Sequence, residues 1–423
     1  MSRLPYFSGV LAALLLTFAA CDTEPTPAGT LHTDSASVPV ATAVTPLWGP
    51  GEGWTVADGP EVEIGSVDGL PEYQFADVVA AVRLDNGNIV VADRGASELR
   101  SYDADGSFQW RVGREGEGPG EFLSLDFLGR MAGDSLVAYD GRLLRVQVID
   151  PGGGVVRTLP ALAPELTTTA GSAPDKAVGV LDGRLIVRFI DLGVGTPSGI
   201  VRWPNERLVA LDLASGAATS LLLVPGPEAM VEWRAEDHYT HGSYVFGKGP
   251  EYGAAAGRLA LIDTEAYAVR IVSPADGSLL GIVRRDVQPI EATEEVFRSL
   301  LDGVVEEVFG NPEEAAPEQV DLLTRMWTER PRAPYLPVLR SVHVDATGSL
   351  WVTPHYLAGA DPPPFEVFAA DGLWLGRVSL PAGLDRGFIQ YGAPELEIGT
   401  DYVLGVWTDE LDVQYVRMYR LDR

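Results

Sequence analysis

A single cysteine, Cys21, stands among 423 residues, so no intramolecular disulfide can form. Histidine is nearly as scarce, with five in all. Basic residues number 31 against 60 acidic ones, a net charge of −29. A surface this acidic repels phosphate backbones and anionic headgroups, and no basic stripe offsets it, so nucleic acid is excluded as a partner. No apolar run reaches the roughly 20 residues of a membrane-spanning helix. There is no Gly-x-Ser-x-Gly elbow, and no Gly-Lys-Ser/Thr to make a phosphate loop. These absences remove the usual nucleophile, disulfide and nucleotide readings together.

What is present begins at the N-terminus. Arg3, an apolar run from Val10 to Ala20 and then Cys21 make a signal-peptide pattern over residues 1–20. Ala19 and Ala20 before Cys21 resemble a bacterial lipobox, with Phe18 where Leu is usual. That resemblance implies that Cys21 is lipidated and that the protein is exported and held to a bacterial membrane, in the periplasm or at the cell surface. Residues 21–50, rich in Thr, Pro, Ala and Ser, read as a disordered tether.

From residue 51 one unit recurs. Its clearest copy, residues 80–122, parses into four strands. They are separated by Asp85-Asn86-Gly87, a short loop and "DADG", which are hairpin signals. Weaker copies cover 133–159, 182–223, 257–283, 347–380 and 401–422. The last copy ends without its fourth strand. The missing strand has a counterpart at the other end: "VEIGSVDGLPEYQF" (62–75) has the form of "RVGREGEGPGEF" (111–122). An N-terminal strand that completes the C-terminal unit closes a ring and removes its open edge. In that reading the Gly-rich stretch at 112–122 joins two blades, with Phe122 packing between them.

The repeat, and "GEGPGEF" above all, resembles the NHL-type six-bladed β-propeller and the exported bacterial propeller lipoproteins. The resemblance implies an all-β, six-bladed propeller over residues 51–423, closed by an N-terminal strand. One segment, 291–334, departs from it. Val296, Leu300, Val304 and Val308 recur at four-residue spacing beside Phe297 and Leu301, and Thr293 suits a helix start. The sequence therefore predicts a small α-helical insertion, with "PEQVDLLTRMWTER" as its second helix.

With the innermost strand first in each blade, the loops between second and third strands share a face with the blade-to-blade connections. Ligands of such folds use that face. The candidates it collects are Asp93, Arg94, Arg114, Glu115, Asp140, Arg142, His355, Trp407 and Asp409. The insertion would emerge there as a lid. No spacing singles out a catalytic set or a metal set; His238 and His241 are a pair where zinc needs three or four ligands. No cofactor is expected, with calcium at the axis left open by analogy with the calcium-dependent propeller lactonases. The function expected is binding of an envelope protein, peptide or glycan without chemistry, by a monomer. The alternative is a metal-dependent hydrolase or lyase at the axis.

Overall fold

Six sheets stand around a central axis in the computed structural model. It describes residues 29–161, 172–191, 196–203, 205–235, 238–311, 315–386 and 395–423. Cys21 and the signal-peptide pattern lie outside them. Blade 1 is Val78–Arg83, Ile89–Asp93, Glu98–Tyr102 and Phe108–Gly113, antiparallel and in sequence order from the axis outward. Its turns follow from their residues. Gly87, at φ +90°, takes a backbone conformation that side chains disfavour. The Asp103 carboxylate accepts from the Asp105 and Ser107 amides at 3.1 and 2.9 Å. Asp150 repeats the arrangement in blade 2, accepting from Gly152 and Gly154.

Blade 2 is Leu125–Arg130, Leu136–Asp140, Arg145–Ile149 and Val155–Pro160. Blade 3 is Ser172–Leu181, Arg184–Asp191, Glu206–Asp212 and Ala218–Val224. Blade 4 is Pro250–Ala255, Arg258–Asp263, Ala268–Val272 and Leu279–Arg285. Blade 5 is Leu339–Val344, Leu350–Pro354, Phe365–Phe368 and Trp374–Val378. Blade 6 has Glu397–Ile398, Tyr402–Thr408 and Gln414–Asp422. Its outer strand is Val62–Ile64, paired antiparallel with the C-terminal strand through Val416↔Ile64 and Met418↔Val62. The ring closes as the sequence predicts.

A separate apolar cluster fills each seam. Blades 1 and 2 share Val79, Leu99, Phe122, Leu128 and Ile149. Blades 4 and 5 share Ile262, Tyr267, Leu339, Phe368 and Trp374. Blades 5 and 6 share Trp351, Phe365, Val403 and Tyr419. The stretch at 112–122 is a blade connection, and Phe122 is fully buried at the seam it crosses. Gly113 turns the chain there at φ +124°, where a Cβ would lie 2.4 Å from the Ser97 carbonyl oxygen. Arg145 and Gln147 of blade 2 hold the loop through the Glu121 carbonyl, at 2.6 and 2.9 Å.

The expected tether over 21–50 needs correction. Thr30–Ser35 and Val38–Ala43 form a hairpin, and its second strand runs parallel to Leu279–Arg285 at the outer edge of blade 4. Val40, Ala41 and Ala43 are buried there. The composition looked like a linker, yet valine and threonine are strand formers, and the outer strand of blade 4 offered an edge to pair. The chain continues across the outer strand of blade 5, where Leu47 and Trp48 donate to the Trp374 and Leu375 carbonyls at 2.9 and 2.8 Å. Trp48 then packs on Trp54, Trp54 on Trp351, and the Arg423 guanidinium lies 4.2 Å over the Trp54 ring.

Two additions rise from one face. The insertion forms helices α1 (Glu294–Phe309) and α2 (Pro317–Thr328), with the Thr293 side chain capping α1 through the Val296 amide. A three-stranded sheet, Gly199–Arg202, Glu228–Ala235 and His238–Ser243, comes from the connections around blade 3. Phe297, Val245, Phe246, Ala333 and Leu336 pack together where the two additions meet.

Candidate functional site

The second strand of a blade ends on the face from which the insertion rises, and in two blades it ends in a buried aspartate. Asp93 accepts from the Asp77 amide at 3.0 Å and from Ala76 and Ala96 at 3.3 Å, with Arg100 at 3.4 Å. Asp140 accepts from Leu123 and Leu143 at 2.7 Å and from Arg142 at 3.0 Å. Both carboxylates satisfy backbone amides that the turning chain leaves unpaired. Arg94 bridges blades 1 and 2, reaching Asp77 at 2.7 Å and Asp126 at 3.1 Å. Arg114 pairs with Glu121 inside its own loop, and Glu115 is held by a backbone bridge to Phe122. Asp409 closes a hairpin through Leu411 and Val413 at 2.8 and 2.9 Å. Trp407 donates to the Ala382 carbonyl at 3.1 Å, under Arg417 at 3.4 Å. These residues are spread over blades 1, 2 and 6 and are not gathered into one place. His238 and His241 lie in a strand, but their side chains are outside the described residues.

Two places do gather chemistry. The first is the axis. Glu251, on the innermost strand of blade 4, is 3% exposed and lies among Arg188, Glu206, Lys176 and Arg340. Burial is the main cause that pushes its carboxyl up to about 8. Glu395, whose amide bonds the Val79 carbonyl at 2.9 Å, is likewise pushed up to about 8, by burial and then by the charge of Glu397. Burial and then Arg188 lower the Lys176 ammonium. Next to Glu251, the Tyr252 hydroxyl donates to Glu206 at 2.7 Å, and Arg188 lies 3.7 Å from the other Glu206 oxygen. Among the described residues, no group of three His, Cys, Asp or Glu side chains is arranged to hold a metal ion.

The second place is a cleft of about 370 Å³ between blades 4 and 5, on the face that carries the insertion. Its walls are Val287, Ile290, Pro337, Val338, Pro354, Pro363 and Pro364, with His355 among them. Its polar end is built around Glu366, which is 2% exposed. The Tyr267 hydroxyl donates to one carboxylate oxygen at 2.6 Å, and Arg285 donates to the same atom. Arg377 donates to the other at 3.2 and 3.4 Å. Arg285 is fixed further by lying 3.9 Å over the Trp374 ring. The Arg377 side chain remains 63% exposed. Two guanidiniums against one carboxylate leave this cleft positive in a chain of net charge −29.

A member of the DUF4221 family from Bacteroides vulgatus is similar in structure at 9% identity, with a TM-score of 0.52, over 88% of this chain and 99% of that one. A protein from Bacteroides fragilis is similar at 11% identity, over 88% and 96%, with a TM-score of 0.47. A virginiamycin B lyase from Staphylococcus aureus is similar at 10% identity, over 88% and 100%, with a TM-score of 0.41. No protein-family model matches the chain, and no curated protein matches it by sequence. At such identities the likeness extends to the fold and stops there.

Of the residues the sequence put forward, His355 is the one that lines the cleft. Its Nε2 is buried and has no hydrogen-bond partner. Burial, then the charges of Arg340 and Lys248, push the imidazole down to about 4, so it is neutral at pH 7. Sequence reasoning missed Tyr267, Arg285, Glu366 and Arg377. A signal existed in "DPPPFEVF", where three prolines precede a strand with a charge inside it. The third strands of blades 1 and 3 open on Glu98 and Glu206, but at the register of Glu366 blades 1 to 4 have Arg100, Gln147, Val209 and Arg270.

Proposed function

We propose that this is an exported binding protein, anchored through a lipid on Cys21, whose propeller captures an envelope peptide, protein or glycan in the cleft between blades 4 and 5. The observation that carries this reading is the cleft itself. It joins an apolar wall to an exposed guanidinium on the face that carries the helical insertion, and pockets of a few hundred Å³ with few polar groups suit ligands. Replacing the exposed Pro364 by tryptophan is expected to fill the mouth of the cleft and abolish capture of the partner from an envelope extract. Arg420→Ala, on the outer part of blade 6, is expected to leave capture unchanged. Equal capture by both variants overturns the cleft as the site. Cys21→Ser is expected to move the protein from the membrane fraction to the soluble one; retention in the membrane overturns the anchor.

A hydrolase or lyase reading draws on a different observation. Glu251 and Glu395 hold protons near neutrality at the axis, which suits acid–base work. Its metal-dependent form expects a bound ion whose removal by chelator lowers the melting temperature.

A further inference from the structure

We infer that the ligand of the cleft presents a carboxylate next to an aliphatic side chain, as an acidic or C-terminal segment of a peptide does. This rests on the cleft being the binding site. Arg377 spends donors on one oxygen of Glu366 and keeps the rest of its planar fork exposed toward the cleft. A carboxylate matches that fork in two parallel hydrogen bonds. Arg285 cannot serve in its place, because Glu366 and the Trp374 ring hold it. Glu366 in turn is saturated by Tyr267 and both arginines, so it holds the cations in place without offering a free acceptor to a ligand. Apart from these polar groups the lining is proline, valine and isoleucine with Gln288 and His355, whose unpartnered Nε2 is buried. Such walls lack the side-chain amides that would pair with sugar hydroxyls, apart from Gln288, and they fit an aliphatic side chain by contact. The favourable partner is therefore an acidic peptide and not a neutral glycan.

The test uses the full chain without its signal segment and two peptide libraries. One has free C-terminal carboxylates and the other amidated ends, and each contains acidic and neutral residues. Acidic uronic-acid oligosaccharides make a third probe. Binding is expected from peptides with a free carboxylate, terminal or side-chain, beside Val, Leu, Ile or Pro. Arg377→Ala is expected to weaken it at least about tenfold, as the loss of a charge-assisted bidentate pair implies. Glu366 retains Arg285 and Tyr267 in that variant, so the fold is kept. If the bound peptides carry no carboxylate but Pro364→Trp still abolishes binding, the cleft stands and the carboxylate inference falls. Binding that ignores both substitutions overturns the cleft and the inference together. Selective binding of the uronic acids, or of no probe at all, overturns the peptide.

Discussion

A chain carrying Ile64→Asp is expected to melt about 10 °C lower and to self-associate. Ile64 is fully buried and packs with Val78, Ala81, Tyr402, Val406 and Val416 at the seam of blades 6 and 1. A carboxylate there has no partner, and burying one costs more than about 4 kcal/mol. For a domain of this size each kcal/mol lowers the melting temperature by about 2 °C. The strand has three residues, Val62–Ile64, so one substitution is enough to release it. Release bares the edge of Gln414–Asp422, and a bare edge templates association. Calorimetry and light scattering measure both effects. Unchanged melting would mean that the ring is held by the Trp48–Trp54–Trp351 contacts and not by its strand.

Glu251→Gln is expected to stabilise the protein at pH 8 and to do nothing at pH 4. The carboxyl of Glu251 moves from its ordinary value of 4.5 up to about 8 on folding. A raised carboxyl is bound to its proton in the folded chain while the unfolded chain has lost it. Its contribution is therefore complete below pH 4.5 and disappears as pH rises through 8. At 1.36 kcal/mol for each unit, the span is worth up to about 5 kcal/mol. Glutamine keeps the shape and removes the titration, so the fall of the wild-type melting temperature between pH 5 and pH 8 should flatten. Glu395, raised to about 8 as well, adds to the same slope. A melting curve of the variant that parallels the wild type at every pH would mean that the Glu251 carboxyl is not raised on folding. If the axis does chemistry, the same substitution removes activity while it adds stability.

The fold was legible because its causes are local. Asp-Asn-Gly and Asp-x-x-Gly turns fix hairpins within a few residues, and "VEIG" carries the pattern of a fourth strand wherever it stands in the chain. The site was not legible, because Tyr267, Arg285, Glu366 and Arg377 come from two blades and meet through their packing. Asp93 and Asp140 drew attention by lying on the right face. Yet each occupies the same place in its blade, and a residue that recurs with the repeat answers to the backbone geometry it repeats. Glu366 breaks the repeat, and it is at the centre of the cleft. The tether was misread for a related reason: composition reports whether a segment can bury much surface, and says nothing of an edge that waits for it elsewhere.

The hairpin would shorten the leash that a lipid on Cys21 would provide. The Val44 and Thr45 amides both bond the Gly29 carbonyl, at 2.6 and 3.2 Å, so the chain is already fixed to the body at residue 29. Cys21 is 29 − 21 = 8 residues away, which spans at most about 29 Å fully stretched. With a lipid on Cys21, residue 29 would stay within about 29 Å of the lipidated residue. The propeller would then be moored by the rim of blade 4. Ala43 of the hairpin lies in register with Arg285, and Arg285 lines the cleft. That mooring point and the proposed cleft would share one side of the disc, so a docked peptide would be presented close to the membrane.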